Sequence, residues 1–155
     1  MKYKFAELTV LAATIFFIAV TVFSSAKTAD YSFLASSTDA LCAVDGIEPQ
    51  DALYLKKNFG TEPSQIGEFL CYASGDVMNP TSVIAVELSD ESAAEELYNA
   101  VKEYNTDKYN TFISYAPDVG GLLSNAVIEK SGCVVFYYCG EQYEKAADIF
   151  TGSKR

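Results

Sequence analysis

The side chains able to do chemistry in this 155-residue chain are four cysteines, eleven tyrosines and twenty-one carboxylates, and no histidine accompanies them. Without an imidazole the usual general base, the Ser–His and Cys–His nucleophile pairs and the commonest metal ligand are all missing. Cys42, Cys71, Cys133 and Cys139 are spaced neither as paired C-x-x-C zinc knuckles nor as a redox C-x-x-C motif. Cys133 and Cys139 fall on one predicted strand, six residues apart. They share a face but lie roughly 20 Å from each other, too far to bond. Any bridge therefore joins one of them to Cys71 or Cys42, with Cys71 and Cys139 as possible partners. The competing expectation is buried free thiols, because a domain of this size builds a core without covalent staples.

The carboxylates form no recognisable ligand loop. Asp39, Asp45, Glu48 and Asp51 lack the D-x-[DN]-x-[DN]-G order of a calcium site. Glu91, Glu95 and Glu96 read as a solvated helix face. Gly120-Gly121 is isolated and follows a helix, so it is no phosphate cradle. No catalytic residue, cofactor or metal is expected, and an enzyme working through carboxylates alone is the only catalytic alternative. Tyrosine is the enriched residue, with Tyr98, Tyr104, Tyr109 and Tyr115 on one long predicted helix. Phenols carry an apolar body and a polar tip, which suits a core edge and a binding surface alike. These four are the candidate interaction surface.

The segments that position these residues begin with a strongly apolar one. Lys2 and Lys4 precede an uncharged run of 19 residues, Leu8 to Ala26, which as a helix would span roughly 28 Å, close to a hydrocarbon core. Residues 1–26 are expected to be an uncleaved membrane anchor or, alternatively, a signal peptide cut after Ala26. The two lysines favour a cytoplasmic N-terminus. The rest then lies outside the membrane with 9 basic and 20 acidic residues. So acidic a domain repels nucleic acid and anionic headgroups.

Residues 27–37 read as a tether and residues 38–155 as one α+β domain. Thr38 or Asp39 caps a short helix. Glu48-Pro49 opens a second that Gly60 ends, with Pro at the first helical position. Glu68 to Ala73 and Ser82 to Leu88 are strands, the latter apolar at odd and even positions. A long helix runs from Ser89-Asp90-Glu91 to about Tyr115. Its stripe of Ala94, Leu97, Val101, Tyr104, Phe112 and Tyr115 is interrupted by Lys108. Pro117 and Gly120-Gly121 turn the chain. Ala126 to Glu129 and Cys133 to Cys139 form a hairpin through Lys130-Ser131-Gly132, and Gln142 to Phe150 closes as a helix. The expected fold is a mostly antiparallel sheet of about four strands packed against the long helix and shorter ones.

Leu55-Lys56-Lys57-Asn58-Phe59-Gly60, Ile84-Ala85-Val86, Phe112-Ile113-Ser114-Tyr115-Ala116-Pro117 and Leu123-Ser124-Asn125-Ala126-Val127-Ile128, followed by the apolar strand after Gly132, resemble a bacterial family designated domain of unknown function 4358. The resemblance runs from about Leu53 to Phe150. It implies a membrane-anchored, extracytoplasmic domain and no particular activity. Three positions depart from the family pattern: Val83 replaces an acidic residue, and Tyr104 and Lys108 stand where Arg and Gln are common.

The expectation from sequence is a non-enzymatic interaction module of the bacterial cell envelope, single-pass with its domain outside. It would bind an envelope protein or itself through the tyrosine-bearing helix. The alternative is a small-ligand-binding domain with a pocket between the long helix and the sheet.

Overall fold

Two strands dictate the layering. β3 and β5 are apolar on both faces, and a strand sends alternate side chains to opposite sides, so each needs cover above and below. In chain order the strands are β1 (Glu48–Pro49), β2 (Ile66–Ala73), β3 (Ser82–Leu88), β4 (Val127–Ser131) and β5 (Val134–Cys139). The computed structural model describes residues 28–154. In it the strands form one sheet of order β1-β2-β3-β5-β4, every pairing antiparallel. The expected sheet of about four strands therefore has five, because Glu48–Pro49 adds to the edge of β2. Residues 1–26, expected to be an anchor or signal peptide, lie outside the described residues. Among the described residues no helix is long and apolar enough to cross a membrane.

Six helices, α1 (Tyr31–Ser37), α2 (Asp39–Cys42), α3 (Ala52–Phe59), α4 (Glu91–Phe112), α5 (Pro117–Ser124) and α6 (Tyr143–Ser153), cover both faces. Helices α3, α4 and α5 bury Leu55, Leu97, Val101 and Leu123 against Ile84, Val86, Val135 and Tyr137. On the other face α1, α2 and α6 bury Leu34, Leu41, Ala146 and Phe150 against Val83, Ala85, Phe136 and Tyr138. Phe136 and Phe150 stack there with centroids 5.9 Å apart and planes 9° from parallel. Each fully buried side chain of this size contributes roughly 1.5–3 kcal/mol. The sheet with its two helical layers is thus held by two separate cores.

The departures from expectation have local causes. Within the stretch expected as a tether, Tyr31–Ser37 is helical. Asp30 caps it by accepting from the Phe33 N–H at 3.2 Å, and Tyr31 and Leu34 are buried. Helix α3 starts at Ala52, not at Pro49. Asp51 is its cap, its Oδ1 accepting from the N–H groups of Leu53 and Tyr54. Pro117 begins helix α5 instead of turning the chain, occupying the first turn, where its missing N–H is no loss. Gly120 sits inside that helix close against Ile113, where a Cβ would meet the Ile113 Cδ1 at 2.8 Å. The hairpin turns at Gly132-Cys133. Gly132 takes a φ of 59°, which suits glycine at the first position of a two-residue turn.

Candidate functional site

At one end of the sheet three small residues stand side by side. Ala73 of β2 pairs with Ser82 of β3, and Ser82 with Cys139 of β5. Further along the same face the rows are bulkier, Cys71–Ile84–Tyr137 and then Phe69–Val86–Val135. The small row leaves space under the helices, and Ala73 and Ser82 line a cleft of about 280 Å³. Tyr54, Lys57 and Asn58 of α3 wall one side and Tyr104 and Lys108 of α4 the other, while the loop from Ser74 to Thr81 closes the end.

That loop is built by its own hydrogen bonds. The Asp76 N–H donates to Ser74 Oγ at 3.1 Å, Met78 N–H to Asp76 Oδ1 at 2.9 Å, and Thr81 N–H to Asn79 Oδ1 at 3.0 Å. Short polar side chains mimicking backbone turns in this way fix a loop without regular structure. Beside it a second hollow of about 330 Å³ continues past Tyr104 and Lys108 to Val77, Phe112 and Tyr115. Val77 and Tyr115 are exposed, at 75% and 58%.

Buried phenols and thiols support the cleft from below. Tyr104 packs edge-on to Phe59 with centroids 5.1 Å apart, and the Lys108 Nζ lies 5.1 Å from the Tyr104 ring centre. Burial, and next the neighbouring Tyr104, push the Tyr54 pKa up. The Tyr137 hydroxyl donates to Asn105 Oδ1 at 3.0 Å, and Asn105 donates in turn to the Leu123 carbonyl at 3.0 Å, tying β5 to α4 and α5. Burial first, then nearby Cys139 and Tyr104, hold the Tyr137 pKa well above its ordinary value.

All four cysteines are free thiols. The possible pairing of Cys71 with Cys139 does not form, because β3 runs between β2 and β5. Two strand spacings put the backbones roughly 10 Å apart, against about 4.4–6.8 Å for a disulfide. Burial, with a smaller push from Asp51, raises the Cys71 pKa to about 12. Burial also raises Cys139 to about 11, opposed by the Tyr137 hydroxyl and Lys108. Thiols held neutral are poor nucleophiles. A thiol reagent at pH 8 is expected to leave Cys71 and Cys139 unmodified until urea unfolds the chain, after which all four cysteines react without reductant. Rapid labelling of either residue in the folded protein would contradict this placement.

The same shifts set the alkaline behaviour. The unfolded chain ionises these thiols from about their ordinary 9.0 and Tyr31 from 10.0, whereas the folded chain keeps Cys71 and Tyr31 neutral to about 12. Between those values the unfolded state binds fewer protons, so stability falls as pH rises. The contribution is fully present below pH 9 and is lost progressively above it. Urea midpoints measured across the alkaline range are expected to show no loss from these groups until pH 9 and a decline thereafter. Midpoints that rise from pH 9 to 11 would reverse the sign.

The four candidate tyrosines do not form one surface. At about 100° per residue along α4, Tyr98 and Tyr109 fall within about 20° of each other and Tyr104 about 120° from Tyr98, while Tyr115, expected on the same helix, stands in the turn beyond its end at Phe112. Tyr98, Tyr104 and Tyr109 pack half-buried against the core, and only Tyr115 is exposed. Tyr104 and Tyr115 face the cleft and its extension, while Tyr98 and Tyr109 are absent from both linings. Lys57 and Asn58 stand out in the sequence only within the Leu55–Gly60 motif of the resemblance, and the Ser74–Thr81 loop carries no functional motif. The usable signal was Lys108, the one charge in the helix's apolar stripe. Of the three positions that the resemblance marks, Tyr104 and Lys108 line the cleft, and Val83 is buried on the opposite face.

A family profile described as Domain of unknown function (DUF4358) matches residues 44–140, well over half of the chain. The matched span contains β1 to β5, α3 to α5 and every residue lining the cleft; α1, α2 and α6 lie outside it. No curated protein and no solved structure matches the chain.

Proposed function

The chain belongs to the DUF4358 family, and on that premise we propose that it is a non-enzymatic, membrane-anchored extracytoplasmic domain that binds a small ligand in the cleft between α3, α4 and the Ser74–Thr81 loop. The carrying observation is the convergence of Tyr54, Lys57, Asn58, Tyr104 and Lys108 over a floor of small residues. Ligand sites are concavities with a few convergent polar groups; this one, near 300 Å³, is at the small end of their range and more polar in its lining than most, which suits a small polar ligand. The rival reading, an envelope-protein or self-association surface along one tyrosine stripe, loses support because those tyrosines do not form one surface.

The position of residue 28 favours an outward-facing cleft. The Ala29 N–H donates to Ser131 Oγ at 3.1 Å, and a Cβ on Gly132 would meet Thr28 at 2.6 Å. The domain is therefore entered at the β4–β5 turn. The cleft floor includes the row of Cys139, at the far end of β5, about 17 Å away at the rise of a strand. With residues 8–26 in the membrane, the cleft opens on the side away from it.

The test is in-cell cross-linking from a photoreactive residue at Val77, with a second at Tyr98. Ligand binding predicts no stoichiometric protein adduct at either position. A single envelope protein, or a second copy, captured from Val77 would instead establish the interaction module. Protease added to intact cells should degrade the domain, and protection would overturn the outward orientation.

A further inference from the structure

The cleft is cationic in a domain that is otherwise strongly acidic. Between Thr28 and Lys154 there are seven lysines and twenty acidic residues. Lys56 and Lys130 are taken up in ion pairs with Glu62 and Glu95. Lys57 and Lys108 both line the cleft, and neither makes an ion pair among the described residues. The one carboxylate in its lining is Asp76, whose Oδ1 is already engaged by the Met78 N–H at 2.9 Å. The extension beyond Lys108 has the opposite character, with Val77, Phe112 and Tyr115 forming an apolar shelf flanked by the exposed Asp107.

Resting on the cleft reading above, we infer that the ligand is an organic anion. Its compact oxyanion, a phosphate or carboxylate, sits between Lys57 and Lys108, and an apolar body attached to it lies on the shelf of Val77, Phe112 and Tyr115. Both lysines donate to an oxyanion without breaking an ion pair, and charge-assisted hydrogen bonds of this kind are about twice as strong as neutral ones. A body leaving the oxyanion past Lys108 meets apolar surface at once, so the two hollows are used by one molecule.

The test is an amide-resonance titration of the full chain in uncharged detergent, with four probes: phenyl phosphate, benzoate, inorganic phosphate and benzyl alcohol. Phenyl phosphate or benzoate is expected to move Lys57, Lys108, Val77 and Tyr115 together and saturably, and the stronger of the two names the oxyanion. Inorganic phosphate should bind at least tenfold more weakly and leave Tyr115 unmoved. Tyr115→Ser is expected to weaken the aromatic anions severalfold and leave inorganic phosphate unchanged, since Tyr115 lines the shelf and not the cleft. If benzyl alcohol moves the cleft resonances as readily as the anions do, the anionic class is overturned while the ligand cleft stands. If no probe moves them, both fall.

Discussion

Truncating Phe136 to alanine is expected to lower the unfolding free energy by about 3–5 kcal/mol, the range for removing a buried aromatic ring. Phe136 is fully buried in β5 and stacks on Phe150 of α6, so its loss opens the core that joins the second helical layer to the sheet. A domain of this kind has only about 5–15 kcal/mol in total. Leu34→Ala is the companion, at about 2–5 kcal/mol. Leu34 is completely buried although it lies in the stretch that reads as a tether, and a tether residue would register nothing. Leu53→Ala, 63% exposed, is the control and should change stability by less than about 0.5 kcal/mol. Urea unfolding checks all three: the midpoints should fall for the first two with the slope unchanged. An unaffected Leu34→Ala would remove the second layer from the account.

Lys108→Met is expected to weaken binding of an aromatic anion at least tenfold, or about 1.4 kcal/mol, and Lys108→Glu by more. The methionine keeps an unbranched apolar stem over Tyr104 while removing the charge, so lost packing is separated from lost attraction. Lys57→Glu should act in the same direction, because that lysine shares the cleft lining. The helix supplies its own control. Lys102 lies 5.1 Å from the Tyr98 ring centre just as Lys108 lies 5.1 Å from that of Tyr104. Lys102 lines neither hollow. Lys102→Glu makes the same change of charge on the same helix and should leave affinity within about twofold, since exposed charges interact weakly through water. Equal losses from Lys102→Glu and Lys108→Glu would mean that net charge, not a site, governs binding.

What was legible in the sequence follows from how local its causes are. β3 and β5 could be read because both of their faces are apolar, and α4 because Asp90 caps it, accepting from the Ala93 N–H at 2.9 Å, ahead of a regular stripe. Helix α1 carries the same signals on a smaller scale, with Asp30 as cap and Tyr31 and Leu34 three residues apart. Its seven residues are too few for periodicity to stand out from a small-residue linker. Helix α5 was hidden by Pro117 and two glycines, which signal a turn unless tertiary contacts supply what propensity lacks. The cleft was the least legible part. Its floor depends on strand register bringing Ala73, Ser82 and Cys139 level across three strands. Its walls come from helices that the sheet separates in sequence. The separation of Tyr104 from Tyr98 and Tyr109, by contrast, follows from helical angles alone.

The measurement that bears most directly on the ligand site is a crystal structure of the full chain purified from its host cells with no ligand added. Electron density for a small molecule between Lys57 and Lys108, continuing over Val77 and Tyr115, is the predicted result, with that density absent in crystals of Lys108→Met. A cleft holding only ordered water in the unaltered protein, or one closed by collapse of the Ser74–Thr81 loop onto Tyr104, would contradict it.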